Sequence, residues 1–513
     1  VWSRAGKIDP SLFEDGFRRA RLREPLGLWN ALGLMFAYGV PLSLWLARRR
    51  HSSLVRALAT GFLFLLVPAL ILTLSRAGII AALAVAAAWL VLSSGRLETL
   101  AAVLLSVPAG AVVAAWALRQ PGIADERQEL AVRAADGRAL GVVLAAGFAA
   151  VVLVAFALYA AERRRPLSEE RRRRIVSAAA WLATLLAIVA IVVAVVRVGD
   201  PADWVEARFD EFTSPELLTN EAGRLTSTSS NARWRWWQEA ADAWTDNPLV
   251  GTGAGSFPVV HRLYRDDSLT VRQPHNIVLQ FLAETGIVGL LLLVASAVAG
   301  LVAAWRMVRA YEVPERPAGL ALLLVLAIYG LHSVVEVDWD FLALSAPVFF
   351  GAGVLLAYGR SRWLEDARAA GILPAAVLGL CIVSLILPPL SSQAVSRSAE
   401  RLAEDPAAAL DAARAAAALN PVALDPLLAR AEAEITLGRP DRARAAYEQA
   451  TRTQPRNARG WFAMASFEAD LGNLSAARAA YVQAKARDPR SCTVLALGVE
   501  LGLEPQGCTG PRS

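Results

Sequence analysis

The residues best suited to chemistry lie where a long polar loop meets apolar segments. Arg233 and Arg235 open a Trp-rich stretch, and His275 follows Pro274 just before an apolar run that contains one acid, Glu284. Charged groups at membrane depth are costly, so they mark functional candidates. Guanidinium groups bind phosphate oxygens bidentately and keep their charge, and neutral imidazole can accept a proton from a hydroxyl. These residue types predict a site that binds a diphosphate and removes a proton.

Two of the candidates have structural alternatives. Arg76, in the tight turn Ser75-Arg76 between apolar runs, either binds an anion or snorkels to anchor the hairpin. His275 stands at a helix start, where the positive end of the dipole favours neutral imidazole. A lone histidine is more often structural, but the neighbouring arginines and Asn276 favour a general base here.

The Trp-rich stretch predicts an amphipathic helix over Ala232–Thr245 that ends before Pro248. Arg233 and Trp237 are four residues apart and share one face of it, while the other tryptophans are explained as interfacial anchors. The glycines from Gly251 to Gly255 lack the lysine of a phosphate-binding loop and the flanking strand of a dinucleotide fingerprint. They predict a flexible turn, and no cofactor is indicated.

A set of polar residues lies at the end of the eighth apolar run. It consists of His332, Glu336, Asp338, Trp339 and Asp340. Asp338 and Asp340 have the spacing to hold a divalent cation through oxygen ligands, or they are ordinary interfacial residues. We expect His332 and Asp338 to line the substrate site without a metal.

Composition assigns these candidates to a membrane protein. Of the 513 residues, 56% are hydrophobic and 19% charged, and mean hydropathy is +0.42. A soluble chain of this length carries nearer a quarter charged residues. The fold class predicted is all-α, a polytopic transmembrane bundle followed by a soluble α-solenoid. Arginine far outnumbers lysine and clusters in short loops between apolar runs, so the basic balance does not indicate nucleic acid.

Ten apolar runs have about the length that a bilayer requires. They lie near residues 27–47, 57–74, 77–95, 99–118, 139–161, 175–198, 277–305, 318–336, 340–358 and 372–391. The predicted membrane domains are therefore 26–198 and 277–391, separated by the long loop 199–276.

Arginines in the loops predict the orientation. Eighteen lie in the loops on one side, while the short loop 119–138 on the other side balances four arginines with four acids. The arginine-rich side should be cytoplasmic, which places the long loop and the C-terminal domain outside. The basic segment 1–25 opposes this assignment, and we expect helices upstream of Val1 to explain its position.

The last part of the chain repeats with a period of 34 residues. Leu437-Gly438 recurs as Leu471-Gly472, and Tyr447 recurs as Tyr481. This spacing resembles tetratricopeptide repeats and predicts them over 406–490, between a linker at 392–405 and a tail at 491–513. The repeats are either a binding platform for a protein partner or glycan, or a structural appendage.

Three cysteines are present. Cys381 lies inside an apolar run, where we expect inert packing. Cys492 and Cys508 flank the tail, and they can form a disulfide if that end faces an oxidising compartment.

Several motifs occur together in a specific order over roughly residues 20–360. They are Pro25-Leu-Gly-Leu-Trp29-Asn30-Ala-Leu-Gly33, Ser75-Arg76, Arg233-x3-Trp237, Pro248-Leu-Val-Gly251-x-Gly253-x-Gly255-x-Phe257, His275-Asn276 and Glu284-x-Gly286-x2-Gly289. In this order they resemble the O-antigen ligase/polymerase superfamily of bacterial membrane glycosyltransferases.

The resemblance implies a metal-independent, inverting transfer of glycan from a polyprenyl-diphosphate carrier on the outer face of the bacterial cytoplasmic membrane. By analogy Arg76 and Arg233 hold the donor diphosphate, and His275 activates the acceptor hydroxyl. The residues expected to line the substrate site are Asn30, Arg235, Trp237, Asn276, Glu284, His332 and Asp338. Relatives with a repeat tail differ in acceptor, so a glycan, lipid or protein acceptor stays open, as does ligation or polymerisation.

Two other classes compete with this one. A transporter or flippase of lipid-linked sugars predicts charges deep in several spans and repeated halves with broken helices, whereas the runs here are mostly smooth and polar residues gather at one end. A scaffold for envelope assembly would need only an anchor, for which ten spans are excessive.

Overall fold

The computed structural model describes residues 21–126, 128–166, 168–198, 200–214, 225, 227–313, 315–358 and 372–505. The first fourteen helices are α1 (Trp29–Leu46), α2 (Ser53–Leu72), α3 (Arg76–Leu92), α4 (Arg96–Ala117), α5 (Pro121–Ala124), α6 (Leu130–Arg164), α7 (Glu169–Val198), α8 (Pro201–Thr213), α9 (Arg233–Asp246), α10 (Phe257–Tyr264), α11 (Ile277–Ala310), α12 (Arg316–His332), α13 (Leu342–Tyr358) and α14 (Ile372–Arg401). The remaining six are α15 (Pro406–Leu419), α16 (Asp425–Thr436), α17 (Pro440–Thr453), α18 (Ala458–Asp470), α19 (Leu474–Arg487) and α20 (Cys492–Glu500).

The all-α prediction is confirmed, and each predicted apolar run coincides with a helix. Within the residues that the structure describes, six helices, α1, α2, α4, α6, α11 and α14, include a stretch long and apolar enough to cross a bilayer by length and composition. Three more, α3, α12 and α13, are apolar but shorter. The chain is thus a multi-pass membrane protein. The long loop 199–276, for which one amphipathic helix was predicted, contains α8, α9 and α10.

Helices α1, α2, α3, α12 and α13 supply most of the core of a first compact unit, drawn from the chain up to Arg235, from His275–Val278 and from the segment that starts at Leu291. Small residues let two of these helices approach closely, as is common between membrane helices. A Cβ atom added to Gly78 would lie 2.9 Å from the Cα atom of Gly33. This contact fixes the start of α3, and hence Arg76, beside the first turns of α1.

One end of this bundle is closed by a group of ion pairs, here called the Arg56 cluster (Arg49, Arg56, Glu98, Glu162 and Arg172). Glu162 lies 2.9 Å from Arg56, 3.2 Å from Arg49 and 3.3 Å from Arg172, and Arg172 also pairs with Glu98 at 3.0 Å. The buried Arg56 further donates to the Ala47 carbonyl and lies over the ring of Tyr159. Every charge in the cluster therefore has an opposite charge in contact with it.

The second compact unit contains Trp236–Pro274, Leu279–Leu290 and the described residues from 372 onward. Its most unusual element is α11, which is interrupted at Gly286 (φ 64°, ψ −168°). The loop before α10 crosses this break and satisfies the backbone groups that the break frees. The hydrogen bonds, donor first, run from Ile287 to Pro248, Val288 to Leu249, Thr252 to Ala283 and Gly253 to Glu284, over 2.8–3.3 Å.

The glycines that were predicted to form a flexible turn build this backbone crossing. A Cβ atom on Gly251 would lie 2.4 Å from the backbone of Glu284, and one on Gly286 would lie 2.3 Å from that of Leu249. Both residues also have positive φ, which glycine adopts without strain. The turn prediction is confirmed, and close packing explains Gly251. Gly253 and Gly255 have open space around them and are explained by their positive φ.

Helices α16 and α17 form one helical hairpin, and α18 and α19 form the next. The Leu-Gly turns found in the sequence join the two helices of each hairpin, with Gly438 and Gly472 at φ 70° and 76°. A third turn at Leu501-Gly502 follows α20 and has the same geometry (φ 68°). In each turn the residue after glycine donates to a carbonyl five positions earlier, which is the Schellman arrangement. The solenoid prediction is confirmed and extends into the predicted tail.

One boundary prediction and one packing prediction differ from the structure. α14 continues to Arg401 through most of the segment predicted as a linker, because helix formers follow Pro389 without a glycine or a further proline to stop it. Cys381 is exposed on α14 rather than packed. Cys492 is disulfide-bonded, while Cys508, its predicted partner, lies outside the described residues.

Candidate active site

A buried carboxylate, Glu336, joins three of the predicted site residues. Its side chain is 1% exposed, and its Oε1 accepts hydrogen bonds from Asn30 Nδ2 at 2.5 Å and from Arg233 Nη2. Its Oε2 lies 3.4 Å from Nδ1 of His275. Segments from the start of α1, the start of α9, the start of α11 and the loop after α12 thereby meet at one carboxyl group. We call Asn30, Arg233, His275 and Glu336 the Glu336 cluster.

The carboxylate at this centre is ionised. Burial by itself raises the pKa of Glu336, but the Arg233 guanidinium and the His275 ring outweigh it and lower the pKa to about 2. Asn30 adds a donor to the same oxygen as Arg233. A buried charge is tolerated only when it is paired and hydrogen-bonded in this way.

Arg233 is the first residue of α9, and the backbone before it is strained. Asn231 and Ala232 both have positive φ, 55° and 69°, which non-glycine residues rarely adopt. Ser230 offers its hydroxyl to the N–H of Trp234 at 3.3 Å, and this contact caps the helix. Strain of this kind persists only where the surroundings enforce it and is frequent at functional sites.

Arg76 and Glu211 enforce it by holding the preceding loop. Arg76 donates to the carbonyl oxygens of Ser227 and Ser229, the latter at 2.7 Å. Glu211, near the end of α8, accepts hydrogen bonds from the hydroxyls of Ser227 and Thr228 and from the Thr228 N–H. These hydroxyls lower the pKa of Glu211 to about 2. The structure thus gives Arg76 a direct part in placing Arg233.

His275 also has strained backbone, with φ 55°. Two residues later, the Ile277 N–H donates to the Ser333 carbonyl at 3.0 Å, and this bond ties the start of α11 to the end of α12. Because Glu336 is ionised and can only accept, the proton of a neutral His275 ring lies on Nδ1. Nε2 is then the proton-accepting atom of the ring.

His332 and Asp338 lie close by but form a pair of their own. Both side chains are 1% exposed, and Nδ1 of His332 lies 2.7 Å from Oδ2 of Asp338. Ser333 donates to the same oxygen at 3.3 Å, and burial raises the pKa of Asp338. The Asp338 carboxylate, which was considered as a ligand for a divalent cation, is therefore bound by His332 and Ser333 instead. Among the described residues no group of three or more His, Cys, Asp or Glu is arranged to hold a metal.

Glu284 is buried as its sequence context predicts, but its carboxylate binds backbone. It accepts hydrogen bonds from the N–H groups of Gly255 at 2.9 Å and Phe257 at 3.2 Å. The Phe257 N–H is an orphan donor in the first turn of α10, and Gly255 lies just before that helix, so Glu284 caps its start. The structure gives Glu284 a structural role, and the substrate contact predicted for it stays a prediction.

The other predicted residues lie along the same segments. Arg235 and Trp237 are half-buried on α9, and Asn276 is 9% exposed next to His275. Trp234 packs edge-on against Phe209 and Phe212 of α8, so packing within the protein explains it better than membrane anchoring.

Glu336 itself was not among the predicted site residues. A signal for it exists: a partly buried arginine needs a counter-ion, and few acids in the sequence follow an apolar run directly. Nothing in the sequence favours Glu336 over the neighbouring Asp338, because the choice depends on which of them α9 and α11 face. Glu211 was missed because α8 was not predicted.

The fold and the site define a multi-pass helical membrane protein in which a buried glutamate contacts an arginine and a histidine at one end of the helical bundle. Residues 134–294 match the O-antigen ligase family model, a range that includes Arg233 and His275. Residues 424–467 match a tetratricopeptide repeat. No curated protein matches the chain. The family resemblance predicted from the motifs is confirmed, and it indicates a membrane glycan ligase or polymerase type of function, with a lipid-linked glycan donor and an acceptor.

Proposed function

We propose that this protein transfers a glycan from a polyprenyl-diphosphate carrier to an acceptor hydroxyl on the outer face of the cytoplasmic membrane. The O-antigen ligase match supports the reaction class. The observation on which the mechanism depends is the ionised Glu336 that contacts both Arg233 and His275.

Arg233 is assigned to the leaving group. Its side chain is 20% exposed, and Nη2 binds Glu336, so the guanidinium retains further N–H donors for a second anion. As the bond between the anomeric carbon and the phosphate oxygen breaks, its electron pair passes to the diphosphate. A fixed cation stabilises this growing charge without reorganising, which is how such groups lower a barrier.

His275 is assigned as the general base. Nε2 removes the proton of the acceptor hydroxyl while the oxygen forms its bond to the anomeric carbon. The ionised Glu336 beside Nδ1 stabilises the imidazolium that results, as a carboxylate does in related acid–base pairs. A single displacement of this kind inverts the anomeric centre.

Arg76 has a double part in this proposal. It holds the loop that leads to Arg233 through two carbonyl oxygens, and its positive charge adds to the field that attracts the donor diphosphate. Arginines supply the cations in this scheme, so the reaction is proposed to need no metal. Asn30 orients Glu336, and the buried His332–Asp338 pair supports the loop that bears it.

The transporter alternative gains one observation, the interrupted helix α11. In transporters such breaks line a cavity in which freed backbone groups bind the substrate or ion. Here the freed groups are occupied by the loop 248–253 of the same chain. The break therefore serves to pack that loop, and glycan transfer remains the better supported function.

The test is glycan transfer in purified membranes with a polyprenyl-diphosphate oligosaccharide and candidate acceptors, with the product identified by mass. We expect His275→Ala to lower the rate by about 10²–10⁴-fold and Arg233→Ala by about 10²–10³-fold, with normal membrane insertion. Matched controls are His51→Ala and Arg119→Ala, because neither residue belongs to the Glu336 cluster. The Arg119 side chain is also exposed. Normal transfer by both His275→Ala and Arg233→Ala would show that the catalytic assignment is wrong.

A further inference from the structure

A cleft of about 380 Å³ lies within the second unit, between α10 with the loop that follows it and the start of α18. Arg262, Arg272 and Arg459 contribute to its lining, together with the exposed Thr270. Its volume falls at the lower end of the range of small-ligand pockets. None of the residues assigned to glycan transfer lines it.

The walls of the cleft are held together by a buried ion pair. Nη2 of Arg265 lies 2.5 Å from Oδ1 of Asp488, and both side chains are less than 5% exposed. Oδ2 of the same aspartate lies 3.7 Å from Arg262. This pair links α10 to the residue that follows α19, so the cleft is present before any ligand binds.

Positive charge exceeds negative charge around the cleft. Burial, followed by repulsion from Arg265 and Arg459, lowers the pKa of Arg262 against the opposing effect of Asp488. Arg459 has one surface partner, Asp425 at 2.9 Å. Arg272 is exposed and forms no ion pair within the described residues. An anion placed among these guanidinium groups would relieve their repulsion and accept several charged hydrogen bonds.

We propose that this cleft binds a phosphate or carboxylate group carried by a short glycan, in the acceptor or the growing product. The anion site follows from the arginines alone, whereas the glycan identity rests on the proposed transfer function. A compact cleft with a hydroxyl beside the arginines suits a few sugar units better than an acidic peptide, which would fit the extended concave surface that repeat proteins use for binding.

The experiment uses the purified full-length chain in detergent and measures binding by calorimetry. The probes are trigalacturonate, neutral maltotriose, inorganic phosphate and a hexaglutamate peptide. The variant is Arg272→Gln with Arg459→Gln, and the control is Arg442→Gln, an exposed arginine of α17 that does not line the cleft.

We expect trigalacturonate to bind and maltotriose not to bind. The double variant should weaken trigalacturonate binding by about tenfold or more, the effect of losing charged hydrogen bonds, and the control should bind normally. Equal affinity in the double variant would overturn the site. Tighter binding of the peptide would assign it to a protein partner, and equally tight binding of free phosphate would remove the glycan from the proposal.

Transfer assays on the same variant separate this inference from the proposed function. With a neutral acceptor the double variant should work at the normal rate, because none of its changed residues belongs to the Glu336 cluster. Loss of binding with normal neutral transfer supports both proposals. If the parent chain bound trigalacturonate but transferred no glycan, the result would support the anion site and contradict only the enzyme assignment.

Discussion

The Arg56 cluster and the Glu336 cluster lie at the two ends of α1, and both contain buried contacts between arginine and glutamate. Asn30 lies in the first turn of that helix and Ala47 directly follows it, a separation of about 26 Å at the rise of an α-helix. In the Arg56 cluster three arginines surround two glutamates. In the Glu336 cluster one glutamate holds one arginine and one histidine.

The two clusters differ in which partner is buried. Arg56, at the centre of its cluster, is 1% exposed and saturated by Glu162, the Ala47 carbonyl and the Tyr159 ring. In the Glu336 cluster the acid is buried, while Arg233 and His275 are 20% and 21% exposed. In the Arg56 cluster the charges neutralise one another inside the protein. In the Glu336 cluster a cation and a base are partly exposed, and their counter-ion is buried behind them.

The backbone shows the same contrast. The residues other than glycine with positive φ in the described chain are Leu74, Asn231, Ala232 and His275. Each belongs to the segments that place Arg76, Arg233 or His275, and none borders the Arg56 cluster. Strain is costly, of order 1–3 kcal/mol for each residue, so its distribution supports the proposal that the Glu336 cluster is the functional end.

The largest effect should come from Glu336→Gln. The amide preserves size but removes the charge that holds Arg233 and stabilises protonated His275, so we expect transfer to fall by at least about 10²-fold. The measurement is the initial rate in the transfer assay, corrected for the amount of inserted protein. Glu312→Gln, which changes an exposed glutamate, is the matched control. A rate within threefold of the parent chain would mean that Glu336 only supports the fold.

Next in size is a loss of stability from Arg56→Met. Removing one partner of a buried ion pair costs about 3 kcal/mol, moderated here because Arg49 and Arg172 still neutralise Glu162. We expect a lower midpoint of thermal unfolding in detergent and an unchanged transfer rate per folded molecule. Arg165→Met changes an exposed arginine near the same end and should leave both quantities unchanged. If Arg56→Met impaired transfer as strongly as Glu336→Gln, the division between the clusters would fail.

Much of the fold could be predicted because membrane helices and helical repeats have local signals. Apolar runs of bilayer length identified the helices, and the Leu-Gly turns at 437–438 and 471–472 identified the repeats. The third turn at Leu501-Gly502 was missed because it follows 30 residues after the second rather than 34. A repeat search depends on constant spacing, whereas the Schellman turn depends only on local backbone geometry.

The site was harder to predict because it depends on which side chains face one another across the chain. Arg233 and His275 stand out by residue type, but Glu336 lies 103 residues from Arg233 and shares its segment with other acids. Glu284 was easier to single out because it is the one acid within its apolar run, yet its carboxylate caps α10. Capping depends on a loop crossing that hydropathy and spacing do not reveal.

The smallest effect is a pH dependence that separates the two roles of Glu336. The pKa of its carboxyl falls from an ordinary 4.5 to about 2 in the folded chain. A lowered pKa stabilises the fold fully above the unfolded value, and this contribution disappears as pH falls toward the folded value. The gap in unfolding midpoint between the parent chain and Glu336→Gln should therefore be constant from pH 8 to about pH 5.5 and shrink toward pH 3. The gap for Glu312→Gln, an exposed site, should vary much less. A gap for Glu336→Gln that persists undiminished to pH 3 would show that Arg233 is held there by shape rather than by charge.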